Sequence, residues 1–158
     1  VAVEAEEYRN ALKRFPTAVT IVTTALGGTM RGLTATAFAA VSLQPPLVLV
    51  CLEKGSRTRA LVMDGGRFVV NMLNESQVEL AHRFATKGEK SFDDVPHTIT
   101  AEGIPKLEGA ISILVCNTVS VVGGGDHDVF IAAVESVVTA PGRPLLHYDR
   151  AYRMLAAD

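Results

Sequence analysis

The chain is written in short runs of Val, Ile, Thr and Leu that glycine and proline cut off, and this punctuation is what most limits how it folds. Thr17 to Ala25, Gly32 to Ala37, Leu47 to Leu52 and Arg67 to Leu73 are β-prone, because branched side chains suit a pleated surface. Leu26-Gly27-Gly28-Thr29 is a tight hairpin signal, since both central residues can take positive φ. Ala110 to Val122 reads as a long strand, turned by Gly123-Gly124-Gly125 and followed by a return strand from Asp126 to Thr139. Pro141-Gly142-Arg143-Pro144 is a further turn, before Leu145 to Tyr148 and a last strand near Tyr152 to Leu155. Six or more strands with hairpin-length turns predict an antiparallel barrel.

Helices are few. Glu4 to Phe15 places Ala5, Tyr8, Ala11, Leu12 and Phe15 on one apolar face, and Pro16 ends it. Ser56 to Asp64 reads as two turns with Ser56 as N-cap. Glu75 to Thr86 is expected to bury Val78, Leu80, Ala81, Phe84 and Ala85, and the polar stretch Lys87 to Lys106 is expected to be a surface loop. With no repeat and no linker, residues 1–158 form one expected domain, of a size that buries roughly 70% of the unfolded surface without a metal or disulfide staple.

Charge and cysteine content remove several function classes. Fifteen Lys and Arg against 17 Asp and Glu leave a net charge of −2, without the basic excess that a nucleic-acid backbone demands. The apolar runs are much shorter than the ~20 residues of a membrane helix, and the acidic start Val1 to Glu7 lacks the order of a signal peptide. Two cysteines, Cys51 and Cys116, make no disulfide framework, so a reducing cytoplasm is expected. There is no phosphate-binding Gly-x-x-x-x-Gly-Lys-Ser/Thr loop, no Gly-x-Gly-x-x-Gly, no Gly-x-Ser-x-Gly and no His-Glu-x-x-His. A kinase, a Rossmann dehydrogenase, an esterase and a zinc protease are all demoted.

Three segments are more particular than a bland barrel needs. Thr34 to Pro46 is dominated by small residues, which lets a flat ring approach the main chain or merely relieves crowding at a bend. Lys54-Gly55-Ser56-Arg57-Thr58-Arg59 joins a helix N-terminus, two hydroxyls and three cations, which suits a phosphate; an ordinary Ser cap with a solvated basic turn also fits. Gly123 to Asp128 leaves space beside His127, either to orient a ligand or simply as a hairpin loop. A metal site at Asp126, His127 and Asp128 is disfavoured, since consecutive strand residues alternate faces.

In this order the segments resemble the flavin reductase family with the FMN-binding split-barrel fold, the small reductase components of two-component flavin-dependent monooxygenases. The resemblance runs from Phe15-Pro16-Thr17 through Gly32 to Phe38, Val41 to Pro46 and Ser56-Arg57-Thr58. It continues through Phe68 to Leu73, Phe84-Ala85, Lys90-Ser91-Phe92, Gly125-Asp126-His127, Pro144 to Tyr148 and Tyr152. It implies a mainly β, antiparallel Greek-key split β-barrel with a few short flanking helices. Thr36, Ala37, Phe38, Ala39 and Ser42 would wall the isoalloxazine ring, and Ser56, Arg57 and Thr58 would hold the flavin phosphate. Lys90 and Phe92 would reach the same flavin, while His127 and Tyr152 would line the nicotinamide side. Ala132-Ala133 stands where the family often has Gly, which implies a narrower space beside the flavin.

The implied activity is hydride transfer from NADH or NADPH to FAD or FMN by a homodimer, with the reduced flavin passed to a separate monooxygenase. His127 would position the rings, and no metal or nucleophile is needed. A non-catalytic flavin-binding barrel, an oxidase of the pyridoxamine-phosphate type and a plain interaction barrel are the alternatives.

Overall fold

The computed structural model describes residues 2–157, so Val1 at the head of the acidic start and the final Asp158 lie outside the described residues. In chain order the elements are α1 (Ala5–Leu12), β1 (Thr17–Ala18), β2 (Thr20–Leu26), β3 (Thr29–Ala35), β4 (Phe38–Leu43) and β5 (Pro46–Glu53). Next come α2 (Arg57–Gly65), β6 (Arg67–Met72), α3 (Val78–Ala85), β7 (His97–Ile99) and β8 (Pro105–Leu107). β9 (Ser112–Gly124), β10 (His127–Thr139), β11 (Leu146–Tyr148) and β12 (Ala151–Arg153) complete the chain. The mainly β, antiparallel architecture expected from the sequence is the one that forms.

Seven strands make the main sheet in the order β3-β2-β6-β9-β10-β5-β4. β3 and β4 thus lie at its two ends, yet only Thr36 and Ala37 join them. Laid flat, six strand spacings would separate them by about 29 Å. The three-residue step from Ala35 to Phe38 reaches only about 11 Å. The sheet must therefore curl until its two ends meet. The Cys51 amide donates to the Ala37 carbonyl at 3.0 Å, so the join is bonded to β5 and the seam lies beside it.

Curling gives the sheet an inside and an outside, and the burial follows. Val22, Val50, Leu52, Phe68, Val70 and Phe130 pack the inner core. Their neighbours Ile21 and Val19 point the other way and pack with Leu73, Ala81, Phe84 and Phe92 under α3 and the loop that follows it. β2 is therefore buried on both faces from Thr20 to Thr24, which is why its sequence runs apolar and β-branched without polar alternation. Ala132 is wholly buried in the inner core.

Buried polar groups on β2 and β6 are paired. Asn71 Nδ2 donates to the Ile21 carbonyl (3.0 Å) and Thr23 Oγ1 (3.1 Å), and its Oδ1 accepts from the Leu107 amide at 2.8 Å. Thr23 Oγ1 donates in turn to the Pro105 carbonyl at 2.5 Å. These bonds clamp β8 onto the sheet.

Several expectations are corrected. Lys87 to Lys106 is no plain surface loop: it contains β7, reaches β8, and buries Phe92, Val95 and Ile104. Hydrophobic residues spaced along polar sequence are anchors, and the polar average hides them. The second long turn consists of Gly125 and Asp126 alone, with Gly123 and Gly124 still in β9 opposite Asp128 and His127. α1 is shorter than predicted and buries nothing, leaving Tyr8, Leu12 and Phe15 exposed; periodicity identifies an apolar face but not a cover for it. In α3 only Ala81 and Phe84 are fully buried, while Ala85 is exposed.

α2 is fixed to β10 by an ion pair. Arg59 Nε donates to Asp128 Oδ2 at 2.7 Å, and the same oxygen accepts from the guanidinium Nη2. Asp128 is almost wholly buried, whereas Arg59 keeps a quarter of its side chain in solvent. Removing the cation is therefore expected to cost more than removing the anion, since only the carboxylate would be left unpaired away from water. Chemical denaturation should show Arg59→Leu losing about 2–4 kcal/mol and Asp128→Leu distinctly less; equal losses would contradict this account.

Candidate functional site

The seam where the sheet ends meet is a groove of about 880 Å³. One wall is β3 from Arg31 to Ala35 with the Thr36–Ala37 join, and the facing wall is Cys51 and Glu53 of β5. Gly55 to Thr58 close one end, and the segment from Phe84 to Lys90 runs along the β3 side. His127 enters from the first position of β10, where the ladder pairs it with Glu53.

β3 reaches α3 closely enough to hold that segment in place because residue 32 is glycine. A Cβ there would sit 3.0 Å from Phe84 Cε1 and 3.3 Å from Phe92 Cζ. Thr34 Oγ1 donates to the Ala81 carbonyl at 2.7 Å and fixes the same contact.

The α2 end is rich in donors. Ser56 is the N-cap, its Oγ accepting from the Arg59 amide at 3.1 Å, which leaves its own hydroxyl proton free to donate. Ala60 is the first residue whose amide bonds back along the helix, to the Ser56 carbonyl, so the Arg57 and Thr58 amides have no acceptor within it. Across the groove Arg31 keeps a buried Nε–H that no acceptor meets among the described residues. Unpaired amides and the helix dipole both favour an anion here.

The three cations expected in this segment are not equivalent. Arg59 is held by Asp128, and Lys54 Nζ donates to the Gly125 carbonyl at 2.7 Å. Only Arg57 faces the groove, where it meets Glu89. Asp128 is turned away from Asp126 and His127 towards Arg59. His127 Nδ1 lies 2.7 Å from Asp126 Oδ1, and that hydrogen bond, with the imidazole's charge second, holds the Asp126 carboxyl below the ordinary carboxylate range. An ionised Asp126 accepts the hydrogen bond of Nδ1–H, leaving Nε2 as the ring nitrogen for a ligand.

Of the residues singled out from sequence, Thr36, Ala37, Ser56, Arg57, Thr58, Lys90 and His127 line the groove. Phe38, Ala39 and Ser42 lie beyond the join on β4, with Phe38 packed against the inner core. Phe92 is buried behind the β3 wall, its ring 5.2 Å from Phe84. Tyr152 packs edge-on to His82 (4.7 Å) and His147 (5.8 Å), outside the groove. Neither Ala132 nor Ala133 lines the groove, so the expected narrowing by their methyls is not found. Lys90 Nζ donates to the Thr86 and Gly88 carbonyls and so braces its own loop.

Sequence reasoning missed Arg31, Cys51 and Glu89. Cys51 had a legible signal, since alternation with the core residues Val50 and Leu52 puts it on the opposite face. Burial pushes its thiol up, and pushes the core thiol of Cys116 to about 12. A second cavity of about 610 Å³ lies behind Thr36 and Ala37, with Arg9, Leu12, Phe15, His147 and Arg150 among its walls. Among the described residues no helix is long and apolar enough to cross a membrane.

Comparison with known proteins places this geometry. Residues 12–156 match the flavin reductase like domain. The reductase subunit HsaB of a flavin-dependent monooxygenase from Mycobacterium tuberculosis is 37% identical over 153 residues, covering 95% of this chain and 82% of its own. The reductase component of 4-hydroxyphenylacetate 3-monooxygenase from Thermus thermophilus is 34% identical over 95% of this chain and 96% of its own. Among solved structures, the NADH:FAD oxidoreductase of Streptomyces globisporus C-1027, in complex with NAD and FAD fragments, superposes with a TM-score of 0.92. It is 33% identical and covers 100% of this chain and 98% of that one. With the match running from the end of α1 to beyond β12, the chain belongs to the flavin reductase like domain family.

Proposed function

We propose that the chain is an NAD(P)H:flavin oxidoreductase that supplies reduced FAD or FMN to a separate monooxygenase. The observation that carries this reading is the seam groove itself: small residues along one wall, and unpaired anion donors at one end. The relatives support it, being reductase partners of monooxygenases and an NADH:FAD oxidoreductase.

The residues fit a flavin. Thr36 and Ala37 present a low wall on which a planar ring can lie. The Ser56 hydroxyl, the Arg57 and Thr58 amides and the Arg57 guanidinium are available to a phosphate. Bound flavin accepts hydride from the nicotinamide, as NAD(P)H + flavin + H⁺ → NAD(P)⁺ + reduced flavin. The chain's part is to hold two flat rings in contact and exclude water between them. His127, anchored by Asp126, offers Nε2 at the groove to orient the nicotinamide carboxamide. Phe92 and Tyr152 would act from behind the walls as supports. A pyridoxamine-phosphate oxidase would need a free basic cluster, and Lys54 and Arg59 are already engaged.

A homodimer suits the surface. Leu43 is 86% exposed, and Val41, Val119, Val137 and Val138 are about half exposed, more apolar area than a lone chain leaves bare without purpose. Two unpaired thiols suit a cytoplasmic setting.

Steady-state oxidation of NADH and NADPH with FAD, FMN and riboflavin in turn tests the reading. Turnover with added flavin is expected; flavin binding without turnover would leave a storage barrel, and no binding an interaction barrel. Ser56→Ala is expected to weaken FMN binding by about 1.5–3 kcal/mol for the lost charge-assisted bond and to spare riboflavin. Equal loss for both flavins would remove the phosphate assignment. His127→Ala is expected to raise the KM for NAD(P)H roughly three- to tenfold and the KM for flavin little. The reverse pattern would put His127 on the flavin side.

A further inference from the structure

One acidic side chain lies among the donors of the anion end. Glu89 Oε1 accepts from Arg31 Nη2 at 2.8 Å and from Arg57 Nη1 at 2.6 Å. The two arginines come from opposite walls, Arg31 from β3 and Arg57 from the first turn of α2, and both line the groove. A carboxylate oxygen shared by two guanidinium groups makes the contacts that a phosphate oxygen would make there. Resting on the flavin reading above, we propose that Glu89 is an internal competitor for the ligand's phosphate. It occupies the Arg31–Arg57 pair in the free protein, must be displaced when a phosphorylated flavin enters, and so selects against tight retention of FMN and FAD.

Three features support displacement rather than permanent pairing. Glu89 and Arg57 keep 60% and 71% of their side-chain surface in water, so the bonds they make are weak ones. Among the described residues Glu89 has no second anchor, since both of its bonds use the same oxygen and the neighbouring brace belongs to Lys90. Arg31, by contrast, is 22% exposed and retains its unmet Nε–H, so it stays in place as a donor when the carboxylate leaves. A phosphate dianion attracts both guanidinium groups more strongly than a carboxylate does, and Glu89 then repels it from close range. A reductase that must release its flavin gains from such a balance.

Flavin-fluorescence titrations of the intact protein with FMN and with riboflavin, in wild type and Glu89→Gln, test this. Glu89→Gln is expected to bind FMN roughly three- to tenfold more tightly and riboflavin within about twofold of wild type. The gain should shrink as ionic strength rises towards ~0.5 M, because exposed charges are screened. A parallel shift for both flavins, or weaker FMN binding, would overturn the competitor role while leaving the flavin reading intact. Wild-type protein that binds neither flavin would overturn both.

Discussion

The structure depends on a short tether. Thr36 and Ala37 must connect the first and last strands of a seven-stranded sheet, and two residues cannot do so unless the sheet closes on itself. Every other feature of the groove follows from this. Curling makes an inner core of Val22, Phe68 and Phe130, leaves the seam open beside the join, and brings α2 and the start of β10 to its edge. Small residues at the join are therefore required twice, by the turn between strands and by whatever ring lies against it.

Electrostatics at the groove is a matter of which charges are already committed. Five basic groups stand near the α2 end: Arg31, Lys54, Arg57, Arg59 and Lys90. Asp128 holds Arg59, and backbone carbonyls hold Lys54 and Lys90. Arg31 and Arg57 remain, joined through one exposed carboxylate, with free amides beneath them. Local charge is high while the charge available to a ligand is modest, which suits a molecule that enters and leaves.

Much of this was legible in the sequence, for reasons that differ by element. The Gly27-Gly28 hairpin and the Ser56 cap are local effects, decided by residues next to one another, and the structure has both, with Ser56 bonded to the Arg59 amide. Element boundaries in the Lys87–Lys106 segment were not legible, because Phe92 and Val95 acquire their meaning only from Gly32 and β2, far away in the chain. Nor was the fate of Arg59, because its partner Asp128 stands sixty-nine positions away in sequence. The exposed face of α1 shows the converse limit, since an apolar stripe predicts a contact without saying what makes it.

The groove's two walls also belong to the same closed circuit of strands. β3 and β5 face each other across the opening, and apart from the Ala37–Cys51 bond at the join the sheet links them the long way round, through β2, β6, β9 and β10. The register shifts in the β9–β10 pairing, between Ile131 and Ala132 and between Val134 and Ser136, lie on that path. Such bulges add local twist. The opening thus behaves like the gap in a split ring: twist introduced on the far side is carried round the strands to the mouth without touching anything that lines it.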